Sequence, residues 1–245
     1  MNFTLSSPFL KNAQYEPSVD ESSHFSKIPL FQKPLHLTFE RPVTMIVGEN
    51  GSGKSTLLEG IAVAAGYSST GGSRHHRVTN FKQSGAFLNI QLSWFPKITN
   101  GFYFRAEAFS NFASYIDELM REDPRLLRAY GGKYLHAQSH GESFLAFFEN
   151  RLTIPGLYIL DEPEAALSPR SQIRFLEILN QWENTRQAQF IIATHSAILL
   201  TYPRATIFSS SNGNLEQTTY DQTEHYKLTK SVLAHPRRYL PFCDL

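Results

Sequence analysis

Cysteine is nearly missing from this chain: 245 residues contain one, Cys243. A single thiol excludes an internal disulfide framework and a cysteine-based zinc cluster. Charge of either sign in excess is also missing, with 23 Lys and Arg against 22 Asp and Glu. No global field therefore draws the chain towards nucleic acid or anionic lipid, although a local basic surface stays open. No apolar run approaches the ~18 residues of a membrane-spanning helix. The opening MNFTLSSPFLKN has neither the basic part nor the long apolar part of a secretory leader. There is no internal repeat and no low-complexity tract. These absences lead to the expectation of a soluble, cytoplasmic protein. What is plentiful is apolar material, 41% of residues, enough for a packed core in one large domain or two small ones.

Against that background one stretch stands out, Gly48-Glu49-Asn50-Gly51-Ser52-Gly53-Lys54-Ser55-Thr56. It fits G-x-x-x-x-G-K-[ST] through Gly48, Gly53, Lys54 and Ser55, after an apolar run (43–47) and before a helical pattern (54–65). Glycines let backbone N–H groups turn inward around a polyphosphate, and the helix N-terminus adds further donors and partial positive charge. Lys54 supplies a cation for the β- and γ-phosphates, and Ser55 a hydroxyl for Mg²⁺. The whole stretch 48–56 is the candidate nucleotide-binding loop.

The rest of the chain is read around it. Residues 1–24 suggest an irregular arm, or a short strand plus loop. Leu35, Leu37 and Phe39 alternate with polar residues as in a half-buried strand. Helix 54–65 carries Leu57, Leu58, Ile61, Ala62 and Ala65 on one face and ends at Gly66. The loop 67–80 holds a basic patch, Arg74-His75-His76-Arg77, a solvated turn or a phosphate or nucleic-acid contact. Strands are predicted over 86–95 and 101–105, and a helix over 109–121 with Phe112, Tyr115, Ile116 and Leu119 inward. Ser139 and Glu142 have capping-box spacing before a helix rich in Phe144, Phe147 and Phe148. A helix starting at Ser168-Pro169 shows Ile173, Leu176 and Leu179 as its apolar face. A strand at 207–209, a turn at Asn212-Gly213 and a strand to Tyr220 follow, and Asp221-x-x-Glu224 suggests a cap for a last helix to Ala234.

Leu157-Tyr158-Ile159-Leu160 runs into Asp161-Glu162, and Phe190-Ile191-Ile192-Ala193 into Thr194-His195. In open α/β sheets the chemistry sits at the carboxyl ends of strands. The first of these runs fits the Walker B pattern, with Asp161 for Mg²⁺ and Glu162 to polarise the attacking water as a general base.

The order P-loop, Ser139-His140-Gly141-Glu142, Asp161-Glu162, Ala165-Ala166-Leu167-Ser168 and His195 resembles the ATP-binding-cassette (ABC) class of ATPases over residues 25–210. Within that class it is similar to the small stand-alone bacterial ATPases with a GENGSGKST loop, an SHGES signature, a DEPEAALSP segment and a T-E-H-Y element, here Thr223 to Tyr226; SMC and RecF heads are more distant. The resemblance implies an α/β P-loop NTPase fold, with a mixed sheet, flanking antiparallel strands and a small helical subdomain at about 106–152 inserted in a single domain, 1–245. It implies ATP and Mg²⁺ as ligands and an ATP-sandwiched homodimer. Ser139 and Gly141 would meet the γ-phosphate held by the other copy, His195 would sense that phosphate, and Ser168 would lie in the segment crossing the interface. Three positions depart from the class: His140 replaces a glycine, Ser168 replaces an aspartate, and no glutamine loop is evident. Glu107 is its positional substitute as a metal ligand, with Gln91 weaker. Phe25 and Phe31 are the aromatic candidates for adenine stacking, against a core reading. Three functions follow from the resemblance: a soluble dimeric ATPase driving an unidentified protein partner, the energy subunit of a membrane transporter, or an ATP-gated nucleic-acid or defence switch. The lack of an N-K-x-D element argues against a GTPase.

Overall fold

The computed structural model describes residues 6–17, 27–69, 71–72, 90–130, 132–151, 155–211 and 213–239, without the side chains of 107, 110–112, 129, 130, 140 and 151. In chain order its strands are β1 (Leu10–Tyr15), β2 (Leu35–Thr38), β3 (Val43–Gly48), β4 (Ile90–Trp94), β5 (Gly101–Arg105), β6 (Gly156–Asp161), β7 (Ala188–Ala193), β8 (Thr206–Ser211) and β9 (Asn214–Thr218). Its helices are α1 (Lys54–Ala65), α2 (Phe109–Glu122), α3 (His140–Arg151), α4 (Pro169–Thr185), α5 (Glu224–Ala234) and α6 (Pro236–Tyr239).

The apolar runs become the middle of a six-stranded sheet, β5-β6-β7-β3-β8-β9, parallel except for the final β8–β9 hairpin. Strands β3, β6 and β7 are buried at every position, as strands covered on both faces must be. The period of two then divides each strand between two cores. Ile46, Ile159, Ile191 and Ala193 join Leu57, Leu58 and Ile61 of α1 and the separate antiparallel sheet β2-β1-β4. Met45, Leu160, Phe190 and Ile192 face the opposite way, onto the side where α2, α3 and α4 pack.

Aromatic contacts fasten the helical side. Phe104 of β5 lies 4.8 Å from Phe144 of α3, centroid to centroid, and Phe144 lies 4.6 Å from Phe148 and 5.4 Å from Phe175 of α4. Such pairs each add about 0.5–1.5 kcal/mol beyond the area they bury. The antiparallel sheet is fastened by a polar device. Gln189, fully buried in β7, accepts the Phe9 and Leu10 N–H groups at 2.8 Å each and donates to the Leu10 carbonyl at 3.0 Å.

The structure differs from the sequence reading at several helix faces. In α4, Ile173 is 54% exposed, and the inward face is Gln172, Phe175, Ile178 and Leu179. In α2, Tyr115 points outward and Ala113, Ile116, Asp117 and Met120 are buried; Phe112 lies outside the described side chains. The last helix is capped by Thr223, which accepts the Tyr226 N–H, and not by Asp221. Within the arm at the start, the described residues 6–17 hold β1 in the middle of its sheet, in line with the strand-plus-loop alternative, and 1–5 and 18–24 lie outside the described residues. Of the predicted strand 86–95, β4 covers Ile90–Trp94, and 86–89 lie outside the described residues. So does the basic patch Arg74–Arg77.

Candidate nucleotide site

Parallel pairing brings the ends of β5, β6, β7 and β3 to one edge. The register aligns Arg105 with Asp161, Asp161 with Ala193, and Ala193 with Ile46. The residues just beyond each strand therefore meet: the loop from Gly48, Glu162, and Thr194-His195. The Glu162 N–H donates to the Ala193 carbonyl at 3.0 Å and the Thr194 N–H to the Ile46 carbonyl at 3.1 Å, which fixes how these ends leave the sheet.

The loop 48–56 curls over the start of α1. Gly53 adopts φ 105° as the N-cap, and no side chain caps the helix, so its first N–H groups are left to bind an anion. A Cβ on Gly53 would stand 2.7 Å from Ile28 Cγ2, so the packing of 28–31 against the loop also requires glycine. Glu49, Asn50 and Gly51 form the exposed rim. Ser52 Oγ is buried and makes no hydrogen bond among the described residues. Lys54 is 4% exposed and donates to the Gly48 and Glu49 carbonyls at 2.7 and 2.9 Å, leaving one of its three donors for a phosphate oxygen. Burial lowers its pKa, and the carboxylates of Glu162, Asp161, Glu49 and Glu164 work against that.

Ser55 Oγ donates to Asp161 Oδ1 at 3.0 Å. Burial pushes the Asp161 carboxyl up to about 6, with the Ser55 hydrogen bond and Arg105 pulling it back. Arg105 Nε is 4.0 Å from Asp161 Oδ2, and its guanidinium reaches Glu59 at 3.6 Å. Ser55, Arg105, Asp161, Glu162 and the Ala165-Ala166 turn line a cleft of about 400 Å³. Glu162 sits at φ 51°, ψ 53°, a left-handed conformation that costs a non-glycine residue energy and clusters at functional sites.

His195 closes the arrangement. Its N–H donates to Glu164 Oε1 at 2.5 Å, its Nε2 is 3.4 Å from Glu162 Oε1, and its Nδ1 is 3.0 Å from His225 Nε2. Burial lowers the His195 pKa, and Lys54 adds to the effect while Glu162 opposes it. Gln172 braces the turn beyond, donating to the Leu167 carbonyl at 3.2 Å and accepting from Ser196 Oγ at 2.5 Å.

The structure thus brings together the loop 48–56, Asp161, Glu162 and His195. Ser139 and Gly141 are not among the residues lining the cleft, although Gly141 lies against Ala166, which is. Ser139 is exposed in a complete capping box: its N–H and hydroxyl donate to Glu142 Oε2 at 3.0 and 2.7 Å, and the Glu142 N–H returns to Ser139 Oγ at 3.3 Å. A Cβ on Gly141 would meet the Ala166 carbonyl at 3.2 Å, so the start of α3 abuts the turn that follows Glu162. Glu107 lies in the one-turn helix Ala106–Ala108 beyond β5, with its side chain outside those described; the same holds for His140. Gln91 is in β4, in the antiparallel sheet. Phe31 is core, 3% exposed and edge-on to Tyr15 at 4.9 Å, and Phe25 lies outside the described residues. Ser168 caps α4 by accepting the Ser171 N–H.

The sequence alone does not mark Arg105, Glu164 or Gln172 as site residues, and it assigns no role to His225 within the Thr223–Tyr226 element. Arg105 ends a predicted strand, which is the one signal that could have drawn attention to it.

As for a metal, no group of three or more His, Cys, Asp or Glu side chains is arranged to hold an ion among the described residues. The hard oxygens of Ser55 and Asp161 suit Mg²⁺, which takes one or two protein ligands and completes its shell with phosphates and water.

Comparison with known proteins places this site in context. A family model for an "AAA domain" matches residues 24–113, and one for "AAA domain, putative AbiEii toxin, Type IV TA system" matches residues 143–201. Among solved structures, the ADP conformation of MJ1267, an ATP-binding cassette of an ABC transporter, aligns with TM-score 0.53 at 16% identity, covering 96% of this chain and 99% of its own. The cbiO1 protein of Clostridium perfringens, part of the ABC transporter complex cbiONQ, aligns with TM-score 0.51 at 19% identity, covering 94% and 98%. No curated protein sequence matches. The fold is that of an ABC-class P-loop ATPase. Among the described residues no helix is long and apolar enough to cross a membrane.

Proposed function

We propose that the protein binds and hydrolyses ATP with Mg²⁺, and that two copies close around two ATP molecules. The observation that carries this reading is a half-built site. Ser55, Asp161 and Glu162 line one cleft, with Lys54 beside Ser55 on the loop and His195 3.4 Å from Glu162, while Ser139, exposed at the start of α3, is not among the lining residues. A second copy would bring its own Ser139 and Gly141 to the γ-phosphate.

In this reading the N–H groups of 48–56 and the Lys54 ammonium wrap the phosphates. Ser55 and Asp161 would hold Mg²⁺, with Glu107 a further candidate ligand; the bound ion neutralises charge building on the triphosphate oxygens. Glu162 orients and deprotonates the attacking water, and His195 donates to the γ-phosphate. Loss of the γ-phosphate removes what both copies grip, so the pair opens. That motion would drive an unidentified protein partner. The domain division of the sequence reading, one unit with 106–152 as the signature-bearing part, belongs to the same proposal.

Complementation tests it. Lys54→Ala and Ser139→Arg should each abolish hydrolysis, because each breaks both sites of a symmetric pair. Mixed, they should recover about a quarter of wild-type turnover, since half the dimers are hybrids with one intact site. Wild-type turnover by Ser139→Arg alone would sink the composite site. The match of residues 143–201 favours a second reading, an ATPase belonging to a toxin–antitoxin pair; growth arrest on expression that depends on Glu162 would support it.

A further inference from the structure

We infer that His225 is a positioning residue of the nucleotide site, holding His195 in the tautomer that carries its proton on Nε2. The contact that carries the inference crosses thirty residues of sequence: His195 Nδ1 lies 3.0 Å from His225 Nε2, with ring centroids 5.1 Å apart and planes tilted by 53°.

The local fold presents His225 deliberately. Thr223, 2% exposed, caps α5 by accepting the Tyr226 N–H at 3.3 Å and donates to the Tyr220 carbonyl at 2.6 Å. That turn sets the direction of the ring two positions later. No residue of α5 is itself buried, so apolar packing does not explain why its first turn is held against the site.

The chemistry follows from the two ring nitrogens. Two neutral imidazoles in N···N contact share one proton, so one donates and the other accepts. When His225 Nε2–H donates, His195 Nδ1 accepts and the His195 proton must sit on Nε2. That nitrogen is buried, makes no hydrogen bond among the described residues, and stands 3.4 Å from Oε1 of Glu162, a residue that lines the cleft. The opposite tautomer would aim a lone pair at the Glu162 carboxylate and at any phosphate oxygen in the cleft. Both anions select Nε2–H, and a donor on His225 supplies it before ATP arrives. Burial and the Lys54 charge hold His195 below the usual His pKa, which keeps the ring neutral and the tautomer meaningful. The effect on hydrolysis rests on the ATPase reading above; the tautomer itself does not.

The experiment has two arms. Nitrogen-15 ring spectra of the nucleotide-free protein should show His195 as the Nε2–H tautomer, and His225→Phe should convert it to a mixture or to Nδ1–H. His225→Gln, whose terminal amide can donate from a similar place, should restore Nε2–H. In the kinetic arm, His225→Phe should lower kcat by about 10-fold or more, with KM for ATP within about 3-fold, and His225→Gln should recover most of the loss. Wild-type His195 found as Nδ1–H, a tautomer indifferent to His225→Phe, or an unchanged kcat in His225→Phe overturns the inference. A wild-type protein that hydrolyses no ATP refutes the function proposed above, and the spectra still decide the role of His225.

Discussion

Asp161 shows how one residue of the proposed site sets function against stability. Its carboxyl is 6% exposed, and its pKa rises from 3.8 to about 6 on folding because burial penalises the anion. A raised carboxyl favours the fold fully below the unfolded value, and that contribution is lost as pH climbs through the folded value. In metal-free buffer at pH 7.5 the buried anion therefore costs stability, of order 1–3 kcal/mol. Asp161→Asn should raise Tm at pH 7.5 while abolishing hydrolysis, with the gain shrinking towards pH 4. A variant that melts lower than wild type at pH 7.5 would contradict this. The residues of this site that sequence revealed are those whose chemistry dictates their neighbours: a phosphate loop needs its glycines and lysine in a row. Glu164, Gln172 and His225 act on a partner 24 to 31 positions away, and no local pattern announces that.

At the scale of elements, a few buried polar groups decide how pieces meet. Gln189 of β7 holds the start of β1 through two N–H groups. Gln189→Leu leaves both without an acceptor and should cost about 2–4 kcal/mol. Urea unfolding measures it, and a loss below about 1 kcal/mol would show that packing alone seats the antiparallel sheet. Asp117 of α2 does the same for the turn before Ser139. Buried at 2% exposure, it accepts the Leu135 and His136 N–H groups at 2.6 and 3.0 Å. Asp117→Ala should loosen residues 135–139, seen as faster amide exchange there with α1 protected as before; uniform protection would rule this out. Strands and helices were legible from periodicity, but the faces of α2 and α4 were less so. Ile173 is apolar yet exposed, and Gln172 is polar yet buried because it bridges Leu167 and Ser196. Hydrophobicity alone cannot foresee a polar residue that is satisfied inside.

For the whole molecule, parallel strand order is what turns separate motifs into a site. The parallel order β6-β7-β3 sends three strand ends to one edge, and the sequence reading anticipated that shared placement from apolar runs ending in polar residues. The partner of α5 was not legible, because the His195–His225 ring pair joins it to the site from the far end of the chain. The central claim is that the cleft is half of a site completed by a second copy. Glu162→Gln keeps the loop, Lys54 and Asp161 but removes the carboxylate that would activate water, so ATP should bind and persist. Light scattering of Glu162→Gln should give a monomer without nucleotide and a dimer of about 56 kDa with ATP and Mg²⁺, twice the 27.9 kDa chain. A Glu162→Gln protein that binds ATP and stays at the monomer mass would contradict the account.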